Sequence, residues 1–185
     1  MQDIIGLDEV GRGCWAGPLV AAAVRLRIDI EGLRDSKKLT PKRRQELAQF
    51  IEQNAEVGIG WVQPSEIDAK GITWSVQQAM MRAISQVQFD KRRIIADGNI
   101  NYLQSMSNSV AIVKADGSVP AVSAASIVAK VARDNYMQQI ARQFPGYGFE
   151  RHVGYGTSAH REQIHKLGLT PLHRRSFRPI RELSP

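Results

Sequence analysis

The stretch Ile4-Ile5-Gly6-Leu7-Asp8-Glu9-Val10-Gly11-Arg12-Gly13 joins a short apolar run to two acidic residues and a glycine-rich turn. Two later runs, residues 93–96 and 110–115, also end on an acid, Asp97 and Asp116 respectively. Short runs rich in β-branched residues indicate buried strands. Because ligands of open α/β sheets gather beyond the carboxyl ends of the strands, parallel neighbours would bring these acids together.

Four neighbouring carboxylates raise one another's pKa, so they stay ionised together only with cations between them. Hard divalent metal ions with oxygen ligands meet that need. The pattern predicts a metal-dependent enzyme with these candidate catalytic residues and ligands: Asp8, Glu9, Asp97 and Asp116. Adjacent strand residues point to opposite faces, so Asp8 and Glu9 share a site only if the chain bends there. The simpler alternatives are that Glu9 pairs with Arg12 and that the later acids sit in ordinary turns.

Composition points to a nucleic-acid partner. The chain has a net charge of +7, and such a basic surface suits a polyanion. Its 185 residues suit one domain, and a single cysteine, Cys14, suits a reducing compartment. We find no leader peptide and no membrane span, and so expect a cytoplasmic protein. Residues 145–185 form a basic C-terminal segment of that domain. From Arg151 to the end, the chain has seven Lys/Arg and only two acidic residues, both Glu. A solvated tail explains the charge equally well.

The predicted fold is α/β, a mixed five-stranded sheet flanked by helices with a C-terminal helical segment. We expect strands at 3–7, 19–28 and 57–62, with two more ending at Asp97 and Asp116, and helices at 41–53, 73–87, 122–144 and 159–167. Gly11-x-Gly13-x-x-Ala16 also fits a dinucleotide-binding turn, with Asp35 at about the expected distance. Pro18 and the β-like run after it leave no room for the helix that such a turn requires.

Three other segments have two interpretations each. Residues 35–44 are a basic cluster that is either a solvated face or a set of phosphate contacts. The small residues 123–126 allow close helix packing or the approach of a nucleic-acid backbone. Aromatics at 147–149 and 154–156 suit stacking on bases or burial under a loop, burial being preferred for Phe149. Cys14 has no evident partner, and the four histidines lack the spacing of a closed zinc site.

In their joint order these motifs resemble bacterial ribonuclease HII, over residues 8 to about 179. The segments that carry the resemblance are 8–13, Gly17-Pro18, 35–39, 97–99, 114–116, 123–134, Gly154-Tyr155 and 173–177. The resemblance implies a ribonuclease H-like fold and two Mg²⁺ or Mn²⁺ ions held by the four acids. We expect Asp8 to be the bridging ligand, because it closes the central strand. It implies contact of the glycine turn with the ribose 2′-hydroxyl and stacking of Tyr155 on a sugar. The expected substrate-binding residues are Gly11, Arg12, Gly13, Ser36, Lys37, Lys38, Tyr155 and Arg174.

Two positions depart from the family pattern: Cys14 replaces a frequent proline, and Val153 replaces a frequent lysine. Both leave fine substrate preference open. The related type III enzymes have an extra N-terminal domain and usually a glutamate at the fourth acid. A chain that begins at its first strand and has Asp116 favours type II.

The resemblance predicts an endoribonuclease that hydrolyses the RNA strand of RNA/DNA hybrids. It would also nick DNA 5′ to embedded ribonucleotides by two-metal catalysis, leaving a 3′-hydroxyl and a 5′-phosphate. The expected partners are these nucleic acids alone, bound by a monomer, and residues 181–185 lack the aromatic pair of a sliding-clamp docking peptide. The alternatives are another two-metal nuclease of this fold and a non-catalytic basic nucleic-acid-binding module.

Overall fold

The computed structural model describes residues 4–33, 39–90 and 92–183 of the chain. The strands are β1 Ile4–Val10, β2 Leu19–Leu26, β3 Ala55–Val62, β4 Arg93–Asp97 and β5 Ser109–Ile112. The longer helices are α1 Pro41–Asn54, α2 Pro64–Lys70, α3 Ile72–Ile84, α4 Pro120–Ala141 and α6 Ser158–Leu167. Two short helices, α5 Phe149–His152 and α7 Arg178–Arg181, complete the C-terminal segment.

The strands form one sheet in the order β3-β2-β1-β4-β5. β1, β2 and β3 pair antiparallel, whereas β1, β4 and β5 run parallel. The predicted mixed five-stranded sheet is therefore confirmed, with β1 at its centre. The parallel register pairs Leu7 with Ala96, so Asp8 and Asp97 stand at the same level of neighbouring strands.

Helices cover both faces of the sheet, and side chains along β2 alternate between them. Ala21 and Ala23 face the cluster formed with α3, while Ala22 and Val24 face the cluster formed with α1 and α4. This alternation follows from the two-residue period of a strand. A Cβ on Gly6 would lie 2.1 Å from the backbone carbon of Ala121, so α4 packs directly on β1.

Local signals define the helix starts. Thr40 caps α1 by accepting a hydrogen bond from the amide of Arg43 at 3.3 Å, and Pro41 occupies the first turn. Thr157 caps α6 in the same way through the amide of His160. In the part of the chain that the structure describes, no helix has the length and apolar character needed to cross a membrane.

Several strand boundaries differ from the prediction, including the end of β2, at Leu26 instead of residue 28, and the start of β3, at Ala55 instead of residue 57. β1 continues through both acids to Val10, and β5 stops at Ile112 instead of reaching Asp116. Lys114 adopts a left-handed backbone with φ 58°, and a short 3₁₀ turn, Ala115–Gly117, follows it. A residue in that conformation ends strand pairing, so Asp116 lies in a turn. The short helices α2, α5 and α7 were not predicted.

Candidate active site at the ends of the central strands

Asp8 and Glu9 both lie within the paired part of β1, opposite Ala22 and Ala21 of β2. The expected bend between them is absent, and the chain turns only at Gly11, whose φ is +87°. Asp97, at the end of the neighbouring strand, nevertheless acts electrostatically on both acids, so the strand end brings them into one region without a bend. The Asp8 carboxylate accepts a hydrogen bond from the Glu9 amide at 2.8 Å. Ser126 of α4 also hydrogen-bonds to Asp8, so the sheet and the helix together orient this carboxylate.

Charge interactions connect three of the acids, Asp8, Glu9 and Asp97. The pKa of Asp8 is raised to about 7, mainly by burial and also by the charges of Glu9 and Asp97, while the Ser126 hydrogen bond opposes the rise. Burial also raises the pKa of Glu9, Asp97 adds to the rise, and Arg12 counteracts it from 3.9 Å. The pairing of Glu9 with Arg12 is thus real, yet it leaves Glu9 within the field of the other acids.

Asp97, the last residue of β4, holds the turn that carries Asp116. Its Oδ1 accepts a hydrogen bond from the Ala115 amide at 2.8 Å. The hydroxyl of Ser123 donates to the backbone carbonyl of Asp116, whose side chain is buried. The fourth acid therefore reaches this end of the sheet from a turn anchored on the third.

The donor set suits a hard divalent cation, because the candidate ligands are all carboxylates, whose oxygens such ions prefer. Among residues 4–33, 39–90 and 92–183, no three Asp, Glu, His or Cys side chains form a ready-made metal cage. The high pKa of Asp8 is the signature of a site that takes up positive charge, as a proton or as a metal ion.

Two buried arginines hold the glycine turn in place. Arg174 donates to the carbonyl of Arg12 at 3.1 Å and to that of Gly17 at 2.9 and 3.0 Å. Arg133 donates to the carbonyls of Pro18 at 2.9 Å and Ala16 at 3.1 Å. The turn therefore has its carbonyls directed inward to guanidinium groups.

The outer face of the glycine turn is open. A Cβ on Gly13 would meet nothing within 4 Å, so a ligand can approach the backbone there. The side chain of Arg12 is 47% exposed beside Glu9. Gly11, Arg12 and Gly13 thus occupy a position suited to substrate contact.

Arg174 does not fit its predicted role as a direct substrate contact. Its side chain is fully buried, and burial lowers its pKa to about 10. Its hydrogen bonds shape the glycine turn from the inside instead. The predicted contacts Ser36, Lys37 and Lys38 lie outside the described residues.

Tyr155 presents its ring at the surface, with the residue 41% exposed. The Arg133 guanidinium carbon lies 5.9 Å and the Lys130 Nζ 6.0 Å from the ring centroid. The Tyr155 hydroxyl and the Cys14 thiol hydrogen-bond to each other. Cys14 is fully buried. Its hydrogen bond to Tyr155 gives it a partner that the sequence did not indicate.

Val153, the other departure from the family pattern, lies in the left-handed region with φ 41°. Its carbonyl accepts a hydrogen bond from Arg133 at 2.8 Å. A β-branched residue in this conformation is strained, and the guanidinium holds the strained backbone in place.

Sequence reasoning missed several residues around the site. Arg133 and Ser126 lie in helix α4 near the small residues that pack against the sheet, and only the fold reveals their partners. Three scattered histidines come together, two of them buried, in an arrangement that no metal-ligand spacing could indicate. Phe149 is buried, as preferred from the sequence, and the small residues Ser123, Ala124 and Ala125 are buried in close packing.

Comparison with known proteins accounts for this arrangement. The family model "Ribonuclease HII" matches residues 5–180. The chain belongs to the ribonuclease HII family. The ribonuclease HII of Maricaulis maris is 45% identical over 180 residues, covering 96% of this chain and 83% of the relative. That of Coxiella burnetii is 46% identical over 187 residues, covering 97% and 90%.

Solved structures agree with the assignment. The ribonuclease HII in a complex with PCNA from Archaeoglobus fulgidus superposes with a TM-score of 0.83 at 27% identity, covering 98% of this chain and 97% of the other. The chain is accordingly a hydrolytic endoribonuclease of the ribonuclease H type that acts on RNA/DNA hybrids. Enzymes of this family depend on divalent metal ions.

Proposed function

We propose that this ribonuclease nicks duplexes on the 5′ side of a ribonucleotide, using Mg²⁺ or Mn²⁺ ions held by its four acids. These acids are Asp8, Glu9, Asp97 and Asp116. The observation that supports the proposal best is that the charge of Asp97 raises the pKa of both Asp8 and Glu9 at one end of the sheet. Neighbouring carboxylates in a basic protein have little value for binding phosphate unless metal ions join them.

The chain's own groups would orient the ligands. The Glu9 amide and Ser126 hold the Asp8 carboxylate, and the Ala115 amide holds that of Asp97. Each leaves carboxylate oxygens free for a cation. When bound, divalent ions acidify a water molecule and neutralise charge on the departing 3′ oxygen.

Recognition of the ribonucleotide would come from two neighbouring elements. The open outer face at Gly13 lets a sugar approach the backbone, and the exposed Arg12 adds a donor for the 2′-hydroxyl or a phosphate. The ring of Tyr155, with two cations close by, offers a stacking surface for a sugar. Together they would select a junction where a 2′-hydroxyl is present.

We propose that residues 1–185 act as one catalytic domain, with 145–185 supplying much of the contact with the duplex. The bridge between Ala16 and His173 joins this segment to the glycine turn, as does the 2.8 Å hydrogen bond from the amide of Arg174 to the carbonyl of Trp15. We further propose that the enzyme works as a monomer without an obligate protein partner. Light scattering of the free enzyme, and of its mixture with a bacterial sliding clamp, tests this.

The decisive experiment uses a DNA duplex with one embedded ribonucleotide and its all-DNA counterpart. Each is incubated with the enzyme in Mg²⁺, Mn²⁺ or EDTA. We expect a metal-dependent nick only on the 5′ side of the ribonucleotide, leaving a 3′-hydroxyl. Equal cleavage of both duplexes would point to a general two-metal nuclease, and binding without cleavage to a non-catalytic module.

A further inference from the structure

Three of the four histidines lie together near the segment that carries Tyr155: His160 and His173 are buried, and His152 is half-buried. The Nε2 atoms of His160 and His173 lie 3.1 Å apart. The ring of His152 stacks on that of His160, with centroids 4.3 Å apart and an interplanar angle of 17°. His160 and His173 are 0% and 1% exposed, and the chemistry proposed above uses neither of them.

The outer partners of the pair determine where each proton lies. The Thr170 amide donates to Nδ1 of His173 at 2.9 Å, so that nitrogen bears no proton and the neutral ring carries it on Nε2. Nδ1 of His160 lies 2.9 Å from the carbonyl oxygen of Tyr155, which can only accept. His160 therefore carries its proton on Nδ1, and its Nε2 accepts from His173.

These hydrogen bonds form a chain, called the relay below, in which every donor points the same way, from Thr170 through His173 and His160 to Tyr155. An additional proton would find no acceptor in this chain. A proton on Nε2 of His160 would face the N–H of His173, and one on Nδ1 of His173 would face an amide N–H. Burial is the main cause that lowers the pKa of both rings, to about 4. His152 contributes to the lowering in both rings, and His160 and Arg175 contribute in His173, against the hydrogen bonds to Tyr155 and Thr170. Both rings are thus neutral near pH 7.

We propose that His160 and His173 are positioning residues for Tyr155, forming a neutral relay that fixes its backbone carbonyl and thereby places its ring. The same carbonyl accepts from the Thr157 amide at 2.9 Å, and the Tyr155 amide donates to the carbonyl of His152 at 2.9 Å. The relay supplies the side-chain link from the protein interior to the carbonyl of Tyr155, beside the links that Cys14 makes to the Tyr155 hydroxyl and Arg133 to the Val153 carbonyl. The inference rests on the proposed role of Tyr155 in substrate recognition.

The first test needs neither metal nor substrate. Long-range ¹H–¹⁵N correlation of the imidazole rings of the metal-free protein reports which nitrogen is protonated. We expect two neutral rings at pH 7 with opposite tautomers, Nδ1–H in His160 and Nε2–H in His173, both persisting to about pH 5. The same tautomer in both rings, or a cationic ring at pH 6, would overturn the relay.

The second test uses variants that keep or remove the donor to Tyr155. His160→Asn keeps an N–H near the position of Nδ1, His160→Leu removes it, and His165→Asn is the control on the exposed side of the same helix. We expect His160→Leu to lower kcat/KM on the single-ribonucleotide duplex about tenfold and His160→Asn to lower it less. Equal losses in both variants would contradict a role for the donated hydrogen bond.

Coupling to Tyr155 separates positioning from general stability. In a Tyr155→Ala background, His160→Leu should cause no further loss of kcat/KM, whereas multiplied losses would show that it acts elsewhere. If His160→Leu does not fold, the tautomer measurement on the unaltered protein decides the proposal. Failure of the unaltered enzyme to nick would instead remove the proposed function, and cleavage without coupling would remove the relay alone.

Discussion

Asp97 and Ala115, eighteen residues apart, are joined by a 2.8 Å hydrogen bond from the Ala115 amide to the Asp97 carboxylate. The bond links the end of β4 to the turn that carries Asp116. One carboxylate oxygen thus has a structural partner while the other remains available to a cation. Two of the four acids are placed by the same contact.

This contact predicts different outcomes for two substitutions. Asp97→Asn keeps an oxygen that accepts from Ala115 but removes the charge, so we expect inactivity with little change in stability. Asp97→Ala removes both, and we expect inactivity with a loss of about 1–3 kcal/mol, since a buried amide loses its acceptor. Urea unfolding of both variants, beside the nicking assay, provides the measurement. Full activity of Asp97→Asn at ordinary Mg²⁺ concentration would refute the assignment.

Asp8→Asn should abolish cleavage and stabilise the metal-free protein. The folded pKa of Asp8 is about 7, above its ordinary value of 3.8, so its contribution to stability is lost as pH rises from about 4 to 7. The variant should therefore gain on the order of 2–4 kcal/mol at pH 8 and nothing at pH 3.5. Urea unfolding in EDTA at both pH values measures this, with the exposed Asp29→Asn as control. A gain that does not depend on pH would contradict the raised pKa.

The buried and exposed arginines of the C-terminal segment should behave differently. Arg174→Met leaves the carbonyls of Arg12 and Gly17 without their hydrogen-bond donor. We expect a loss of about 2–4 kcal/mol in the free energy of unfolding, together with weaker cleavage. Arg175→Gln changes the neighbouring exposed side chain and should leave stability within about 0.5 kcal/mol. Thermal and urea unfolding of the pair test this. Similar stability of the two variants would show that the buried hydrogen bonds have little importance.

Acid should destabilise the protein through the histidine pair. The folded pKa values of His160 and His173 are near 4, below the ordinary 6.5, so stability is present above pH 6.5 and declines as pH falls toward 4. Asp8 acts in the opposite sense over the same range, so the measurement belongs in the Asp8→Asn background. We expect a fall of at least about 2 kcal/mol in the free energy of unfolding between pH 7 and pH 4. A flat profile would mean that the histidines titrate alike in both states.

Substrate binding should weaken steeply with salt, because the duplex releases counterions when exposed cations approach its phosphates. The net charge of +7 and the basic end of the chain supply such cations. Affinity for a hybrid duplex, measured between 50 and 200 mM salt by anisotropy in Ca²⁺, should fall by about tenfold or more. Independence from salt would remove the electrostatic basis of binding.

Much of the fold followed from local pattern. The alternation and apolar runs of the strands predicted the sheet, and the Thr-Pro start of α1 predicted its cap. The boundaries of β1 and β5 were wrong by a few residues. The end of β5 was missed because nothing in a lysine side chain indicates the left-handed backbone of Lys114. The end of β1 was missed because its pairing with β2 continues past the two acids.

What the sequence determined by itself was the set of acids and their place after apolar runs, because side-chain chemistry and strand period are local properties. Which cations are buried was decided only by the tertiary structure. Arg174 meets Gly17 across 157 residues, and Arg133 meets Ala16 across 117, contacts that exist only once the helices pack on the sheet. The same packing brings together three histidines that look like ordinary polar residues in the chain, and buries two of them, His160 and His173. The identity of a side chain is local, but only its folded neighbours decide whether it is desolvated, how its pKa shifts and which of its atoms are satisfied.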